Sequence, residues 1–500
     1  MQPIAYQPQL RPDLPVVFAS KDYFLQRDLL IRIDEILVTS RLEIDFIRLS
    51  TKQREFDPDK ATAKQLDRFN QQCILALRSN IARHLLGMEH RDFCVRIADS
   101  NLLQWFLQIG RVEGVKAFAK STSDRHAHWL DEDNLHLINT RLTALLAGTG
   151  LDQPIDLGLS ENINFDDLFF DSTCLKAPIH FPVDWVLLRD ITRTLMRATV
   201  LIRRAGLVHR MPQEPLAFLS DMNTLCMQMS AKFRTKDGRK HRKAVLRAMK
   251  RLTKRIGNHA RNHLKLLEQR APETELRKGQ IRQIRARIEN VLEQLPAAIT
   301  QAHERIIGGR KLPNKDKILS LYDPDVQVIK RGKSNAEVEF GNKLWLGETR
   351  EGYIADYRLE KEQSSDTHHV APAMDRLVNE QQLPLKSAWG DRGLHSEANE
   401  KLLSELGIRS GLCPRNVSEL ADRLENESGM REGLKRRAGT EARISILIRD
   451  FMGTPARAKG FEHRSMLTGW AVLSHNLWVL ARLETSEQPK EIWEELLEAA

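Results

Sequence analysis

Apolar residues recur at three- and four-residue steps over most of the first 150 positions. Leu25, Leu29, Leu30, Ile33, Ile36 and Leu37 make one stripe from position 21 to about 50, and Leu66, Phe69, Ile74, Leu77, Ile81 and Leu85 make another over 62–86. That period predicts amphipathic helices, because 3.6 residues per turn bring such positions onto one face. Over 92–150, Phe93, Val95, Ile97, Leu102, Leu103, Phe106 and Leu107 predict a core-facing segment, and a helix follows at about 131–146. The Ser/Thr-rich, basic stretch 120–125 between them fits a helix-turn-helix that reads DNA, and equally an ordinary helix junction. Residues 1–20 hold four prolines and read as an irregular arm; 151–168, rich in Gly, Asp and Asn, read as a linker.

The texture then changes twice. A short strand at Phe169-Phe170-Asp171-Ser172-Thr173-Cys174 leads to a helix at about 187–205 and a long block, 206–310, with little strand signal. Within it, 232–270 carry fifteen Lys and Arg against two acids, Asp237 and Glu268. Val245, Leu246, Met249, Leu252 and Ile256 form an apolar stripe, while Arg247, Lys250, Arg251, Lys254 and Arg255 take the remaining faces. A face so one-sided in sign predicts contact with phosphates rather than plain solvation. A charge-balanced helix at about 273–306 is expected to pair antiparallel with it. From 317 onwards the chain turns extended, and Lys330-Arg331-Gly332-Lys333 follow. Val338, Phe340, Leu344 and Leu346 alternate with polar residues, a turn sits at 350–352, and 353–359 form the partner strand of a β-hairpin. Then come a helix at about 368–381, a strand over 385–390 ending at Asp391, a helix over 396–406, a strand at 411–414, a polar stretch over 416–428, a long helix from 438 and an apolar helix at 466–483.

Composition narrows the class. A hydrophobic content of 41% with 29% charged residues describes a globular, water-soluble chain, and 500 residues suggest about two to four domains. The net charge of +10 and a pI near 9.3 favour polyanionic partners. The five cysteines (Cys73, Cys94, Cys174, Cys226 and Cys413) form no C-x-x-C, which argues against a zinc site or a disulfide framework and for a reducing compartment. No basic-then-apolar start predicts export, and no run of about 18 apolar residues predicts a membrane span.

Three carboxylates carry the candidate chemistry. Asp171 lies on a strand, Asp391 at the end of another and Glu441 on the helix after 438. Acids at neighbouring strand ends can face one crevice. Mg²⁺, a hard cation that takes oxygen ligands and keeps waters for phosphate, suits such a cluster. Asp323 and Asp325 flank Pro324 and read as loop acids. Asp184 reads as a helix N-cap or as a supporting partner of the ligands. His180 and His395 read as structural or phosphate-facing groups, and Trp185, Trp345 and Trp389 as core.

Asp171-Ser172-Thr173, then Ile179-His180-Phe181-Pro182 with Asp184, then Gly390-Asp391-Arg392-Gly393 with Ser396, and finally Arg437, Gly439 and Glu441 resemble the bacterial insertion-sequence DDE transposases. Lys459-Gly460 and the stretch 476–482 extend the likeness, which covers about 165–483 and, more loosely, 92–145. The resemblance implies an α/β RNase H-like catalytic core, a mixed sheet flanked by helices, with an all-α N-terminal part and a basic helical insertion. Its boundaries are a DNA-binding region over 1–150, a first catalytic segment over 160–189, the insertion over 190–312, the rest of the core over 313–483 and an acidic tail over 484–500. It also implies that Asp171, Asp391 and Glu441 bind two Mg²⁺ ions, with Mn²⁺ as a substitute. These would serve Mg-dependent cleavage and strand transfer of double-stranded DNA, at terminal inverted repeats and target DNA. Arg437, four residues before Glu441, would touch phosphate, as in the related Tyr-Arg-Glu-Lys pattern; Ile448 stands where that pattern has Lys, with Arg449 next. Arg443, Arg449, Arg331, Lys333, Arg392, Lys250, Arg251, Lys254 and Arg255 complete the expected DNA contacts. Joining two ends implies a homodimer on DNA, a bacterial cytoplasmic, nucleoid-associated location and no membrane partner. The competing expectation is a non-catalytic DNA-binding protein derived from such an element.

Overall fold

Helices build the first 150 residues, as their stripes require: α1 (Lys21–Thr39), α2 (Leu42–Gln53), α3 (Ala63–Leu85), α4 (His90–Asp99), α5 (Asn101–Phe106), α6 (Lys120–Ala127) and α7 (Glu132–Ala147). The computed structural model describes residues 13–111, 114–149, 155–231, 236–333, 336–362 and 364–485. Most of the expected N-terminal arm and of the acidic tail therefore lies outside the described residues. Thr62 starts α3 by a reciprocal bond with Gln65, which satisfies donors that the first turn leaves open. One buried arginine ties three helices together: Arg78 donates to Asp34 of α1 (2.5 Å), to Glu43 of α2 (2.6 Å) and to the Phe106 carbonyl (2.9 Å). Two tiny strands, β1 (Gly110–Arg111) and β2 (Gly114–Val115), pair antiparallel.

β3 (Asp167–Lys176) opens the main sheet, and the chain then leaves it for a second compact unit, 179–340. This unit contains α8 (Asp184–Arg204), α9 (Pro215–Ser230), the 35-residue α10 (Lys236–Arg270) and α11 (Lys278–Ala302), packed through Leu188, Ile191, Phe218, Met249, Ile256 and Ile288. Asp184 is the first residue of α8 and neither expected role describes it fully. Its carboxylate accepts from Gln301 (3.0 Å) and Arg305 (2.6 Å), so it clamps α8 to the end of α11. The extended chain expected from 317 becomes a strand only at β4 (Gln327–Lys333). Asp323 lies in the loop before β4, as Pro324 suggests, and is fully buried there.

The first unit resumes at 341. β5 (Ala336–Glu348) and β6 (Ile354–Leu359) form the expected hairpin. α12 (Val370–Met374), β7 (Ser387–Gly390), α13 (Glu397–Glu405), β8 (Arg409–Leu412), α14 (Val417–Asn426), α15 (Met430–Ala438), α16 (Thr440–Ile446) and α17 (Phe461–Ala481) follow. The helix expected from 438 runs over 440–452, α16 continuing into a wider π-turn at Leu447–Met452, and α15, which the sequence alone does not place, precedes it across Gly439. Within this unit the strand order is β6-β5-β3-β7-β8. β5 and β6 run antiparallel to their neighbours, whereas β7 and β8 run parallel to β3. The result is a mixed α/β sheet flanked by helices. The N-terminal helices share its core: Asn139 of α7 donates to the Tyr357 hydroxyl and the Gly469 carbonyl, and Phe46 packs on Trp470 of α17. α7 thus buries one face in the sheet's core. Among the described residues no helix is long and apolar enough to cross a membrane.

Candidate active site

The parallel register of β3 and β7 brings the first two acids together. Phe169 pairs with Trp389, so Asp171 and Asp391 stand two residues further along neighbouring strands. Alternation along β3 sends Phe169 and Asp171 to one face of the sheet and Phe170 and Ser172 to the other. Asp171 is 8% exposed and accepts the Ser172 backbone N–H at 2.7 Å. Asp391 starts a turn and accepts the Gly393 N–H at 2.9 Å.

α15 and α16 close the Asp171 face, and two devices hold them there. The first is the ring of Trp389, which stacks on Phe169 and is flanked by Gly411 of β8 and Gly433 of α15. A Cβ at Gly433 would lie 2.0 Å from the Trp389 ring, and one at Gly411 would lie 2.2 Å from it, so only glycines allow this approach. The second is Glu348 of β5, nearly fully buried. It accepts from Arg436 (3.2 Å) and Thr440 (2.8 Å), and Arg443 stands 3.8 Å away. Burial pushes the Glu348 carboxyl up, and these cations oppose that shift.

Docked in this way, α15 delivers Arg437 to the acids. Its Nη2 lies 3.0 Å from Asp171 Oδ2 and 3.9 Å from Asp391 Oδ2. Burial raises the Asp171 pKa to about 6; Arg437 opposes this, and the negative charges of Asp391 and Glu441 add to it. Glu441, in the first turn of α16, thus belongs to the same electrostatic cluster. Among the described residues, no group of three carboxylate, histidine or cysteine side chains stands close enough to hold a metal ion.

Sequence reasoning missed Glu348 and also Asp366. The latter accepts from Ser172 Oγ (2.9 Å) and from Lys343 Nζ (2.8 Å) on the opposite face of β3. A Cβ at Gly393 would be 3.0 Å from Asp391 Oδ1 and 3.3 Å from Asp366 Oδ2, so a fourth acid borders the turn that carries Asp391. Lys343 and Ser172 hold its carboxyl below the usual range against the effect of burial. No motif marks either residue, because both matter only through partners distant in sequence.

The expected DNA contacts are dispersed. Arg443 turns inward to Glu348. Arg392 is exposed in the Asp391 turn, and Arg449 is exposed but paired with Asp450 at 2.7 Å. His395 faces Glu400 and Glu419 rather than the acids of the cluster. In the second unit Arg251, Lys254 and Arg255 are exposed on α10, with Arg255 also over the Phe218 ring, while Lys250 donates to His303 at 3.0 Å. Arg331 and Lys333 lie on β4, their side chains outside the described residues. No family model matches the chain, and neither a curated protein nor a solved structure matches it.

Proposed function

We propose that this chain is a DNA transposase of the insertion-sequence DDE type, acting through an RNase H-like core. The observation that carries the reading is the meeting of Asp171 and Asp391 on one guanidinium. The order β6-β5-β3-β7-β8, antiparallel then parallel, is what an RNase H-like core requires, and it supports that finer description of the fold.

Asp171, Asp391 and Glu441 are the residues that would hold two Mg²⁺ ions, or Mn²⁺ in their place. The donor set fits on chemistry: hard carboxylate oxygens, one of them buried with a raised pKa, and a guanidinium shared by Asp171 and Asp391. Divalent ions bound there supply electrostatic stabilisation of attacking and leaving oxygens in phosphoryl transfer. The chain's own residues set the geometry. β3 and β7 aim Asp171 and Asp391 from parallel, adjacent positions, and the first turn of α16 carries Glu441. Arg437, which neutralises Asp171 in the metal-free protein, is placed to move onto a phosphate when a cation takes its partner. The exposed basic residues Arg247, Arg251, Lys254, Arg261 and Lys265 recur at three-, four- and seven-residue steps on α10 and suit the phosphates of duplex DNA. Terminal inverted repeats and target DNA as partners, assembly as a homodimer on DNA, and a bacterial nucleoid-associated location belong to the same reading.

The second reading, a non-catalytic DNA-binding protein of transposon origin, is favoured by the Arg437–Asp171 pair itself, a neutralised arrangement that needs no metal. Strand cleavage of DNA carrying the element's own ends separates the two. The wild type is expected to nick it with Mg²⁺ and not with EDTA, and Asp391→Asn is expected to bind DNA without nicking. Binding without cleavage by the wild type would establish the second reading, and cleavage that survives the substitution would remove Asp391 from the site.

A further inference from the structure

Two histidines far apart in sequence meet where α6 ends against α17. His128 is the residue after α6, and His463 lies in the first turn of α17. Their ring centroids are 4.7 Å apart, and the ring planes are inclined at 80°. Both side chains are exposed.

Each ring is set by the same device. Nδ1 of His128 lies 2.7 Å from the Asp124 carbonyl oxygen, and Nδ1 of His463 lies 2.9 Å from the Lys459 carbonyl oxygen. In both cases the acceptor belongs to the residue four positions earlier. A carbonyl oxygen only accepts, so each Nδ1 carries the proton, and each Nε2 of the neutral ring presents a bare lone pair. Among the described residues neither Nε2 has a hydrogen-bond partner. An Nδ1–H held by a backbone carbonyl is the arrangement that orients a histidine for metal binding through its other nitrogen.

The elements that carry the pair are tied together. Trp470, buried on α17 two turns beyond His463, donates its Nε1–H to the Ala127 carbonyl at 3.0 Å, next to His128. The ring spacing fits one shared ion. Imidazoles bound to one Zn²⁺ at about 2.0–2.1 Å per nitrogen, with an angle of about 90–110° at the metal, have centroids roughly 4.5–5.2 Å apart. The steep inclination fits as well. In a flat stack the two lone pairs would lie in parallel planes and could not meet at one point.

We propose that His128 and His463 bind one divalent transition-metal ion, Zn²⁺, through their Nε2 atoms, with water in its remaining positions. Zn²⁺ accepts imidazole nitrogens readily and imposes no fixed geometry, whereas Mg²⁺ prefers oxygen. The ion joins the end of α6 to α17. The site uses none of the acids around Asp171 and does not depend on the catalytic reading. It also uses no cysteine, so cysteine spacing gives no sign of it.

The test uses the full-length protein, freed of metal with EDTA and then desalted. Zn²⁺ alone is titrated into it and followed by calorimetry. The variants are His128→Asn and His463→Asn. Asparagine places an amide N–H where Nδ1–H stands and has no atom at Nε2, so the bond to the carbonyl is kept and the ligand atom is lost. Melting temperature without metal confirms that each variant is folded. The wild type is expected to take one Zn²⁺ per chain at the pair. Each variant is expected to lose about tenfold or more in affinity, since even the loss of a ligand's hydrogen-bond partner costs about 10–100-fold. Zn²⁺ is expected to raise the melting temperature of the wild type and not that of the variants. Cu²⁺, which takes the same ligands, is expected to show two imidazole nitrogens in its electron paramagnetic resonance spectrum with the wild type and one with either variant. A wild type without a saturable Zn²⁺ site, or with an affinity that both variants retain, overturns the proposal. Loss in one variant alone also overturns it, because the ion then rests on a single histidine. Asp391→Asn goes through the same titration and is expected to keep the histidine-bound ion, so metal at the acid cluster is told apart from metal here.

Discussion

Asp171 is an acid that the fold holds at a cost. Its carboxyl is buried on β3, and burial outweighs Arg437 in setting a pKa of about 6. An unfolded aspartate titrates near 3.9. A folded pKa raised above the unfolded one means that the ionised form opposes folding, so this group favours the fold most below about pH 4 and loses that contribution as pH rises to about 6. In the absence of divalent cations, Asp171→Asn is therefore expected to raise the melting temperature relative to the wild type at pH 8 and to leave it nearly unchanged at pH 4. The full shift corresponds to about 3 kcal/mol, and roughly half that is expected because Arg437 loses a partner. Calorimetry at the two pH values decides it. A variant that melts below the wild type at pH 8 would show that the Arg437 pair, not burial, controls the group. Glu348 illustrates the opposite balance of roles. It is a buried acid with a raised pKa, yet Arg436, Thr440 and Arg443 converge on it, and it anchors the helices that carry Arg437 and Glu441.

At the scale of elements, the site depends on how closely α15 approaches the sheet. Gly433 sits one turn before Arg437 and directly against Trp389, and Gly411 closes the other side of the ring. The ring has nowhere to retreat, so Gly433→Ala must push α15 outward. The expected cost is about 1–3 kcal/mol of stability, as for other overpacked cores. On the proposed cleavage function, the expected loss in rate is roughly a hundredfold, since an ångström of misplacement at a reacting centre costs about that much. Thermal melts and single-turnover nicking measure the two. A variant with wild-type stability and rate would mean that the helix does not position Arg437. Much of the element pattern is readable from the chain: the stripes of α1 and α3 and the β5–β6 hairpin follow from period alone. α15 is not, because the polar run before 438 carries no apolar period and only the convergence on Glu348 decides where that helix lies. α7 carries the same lesson. Its basic, Ser/Thr-rich approach suits a DNA reader and a plain junction alike, and the sequence does not show that Asn139 and Thr143 bond to Tyr357, Gly469 and Tyr353 in the core.

At the scale of the whole molecule, the chain is one sheet-and-helix unit interrupted by another. Lys176 of β3 pairs with Gly341 of β5, so the first unit is left and re-entered at adjacent positions of neighbouring strands. A connection that short can be bridged by a turn. Replacing 179–340 with a short Gly-rich turn is therefore expected to leave a cooperatively melting protein with the helical and strand signals of the first unit. Circular dichroism during a thermal ramp checks this, and a chain without a cooperative transition would mean that the first unit needs the second in order to fold. The same deletion removes the exposed basic residues of α10, so the remaining protein is expected to bind duplex DNA with a shallower salt dependence.

What the amino-acid sequence determines by itself is local: periods of 3.6 and 2, the basic bias of 232–270, the acids at Asp171, Asp391 and Glu441 and the mixed character of the fold. The periods and the basic bias depend on residues within a few turns of one another, and periodicity and charge report such neighbours directly. Only the tertiary structure decides that the parallel register Phe169–Trp389 sets Asp171 beside Asp391, that Arg437 joins them, and that Asp366 and Glu348 stand close by. The N-terminal helices likewise become part of the sheet's core only through contacts such as Asn139 with Gly469. The reason is that a buried charge takes its state from whatever the fold brings within a few ångströms, and those partners lie hundreds of positions away along the chain.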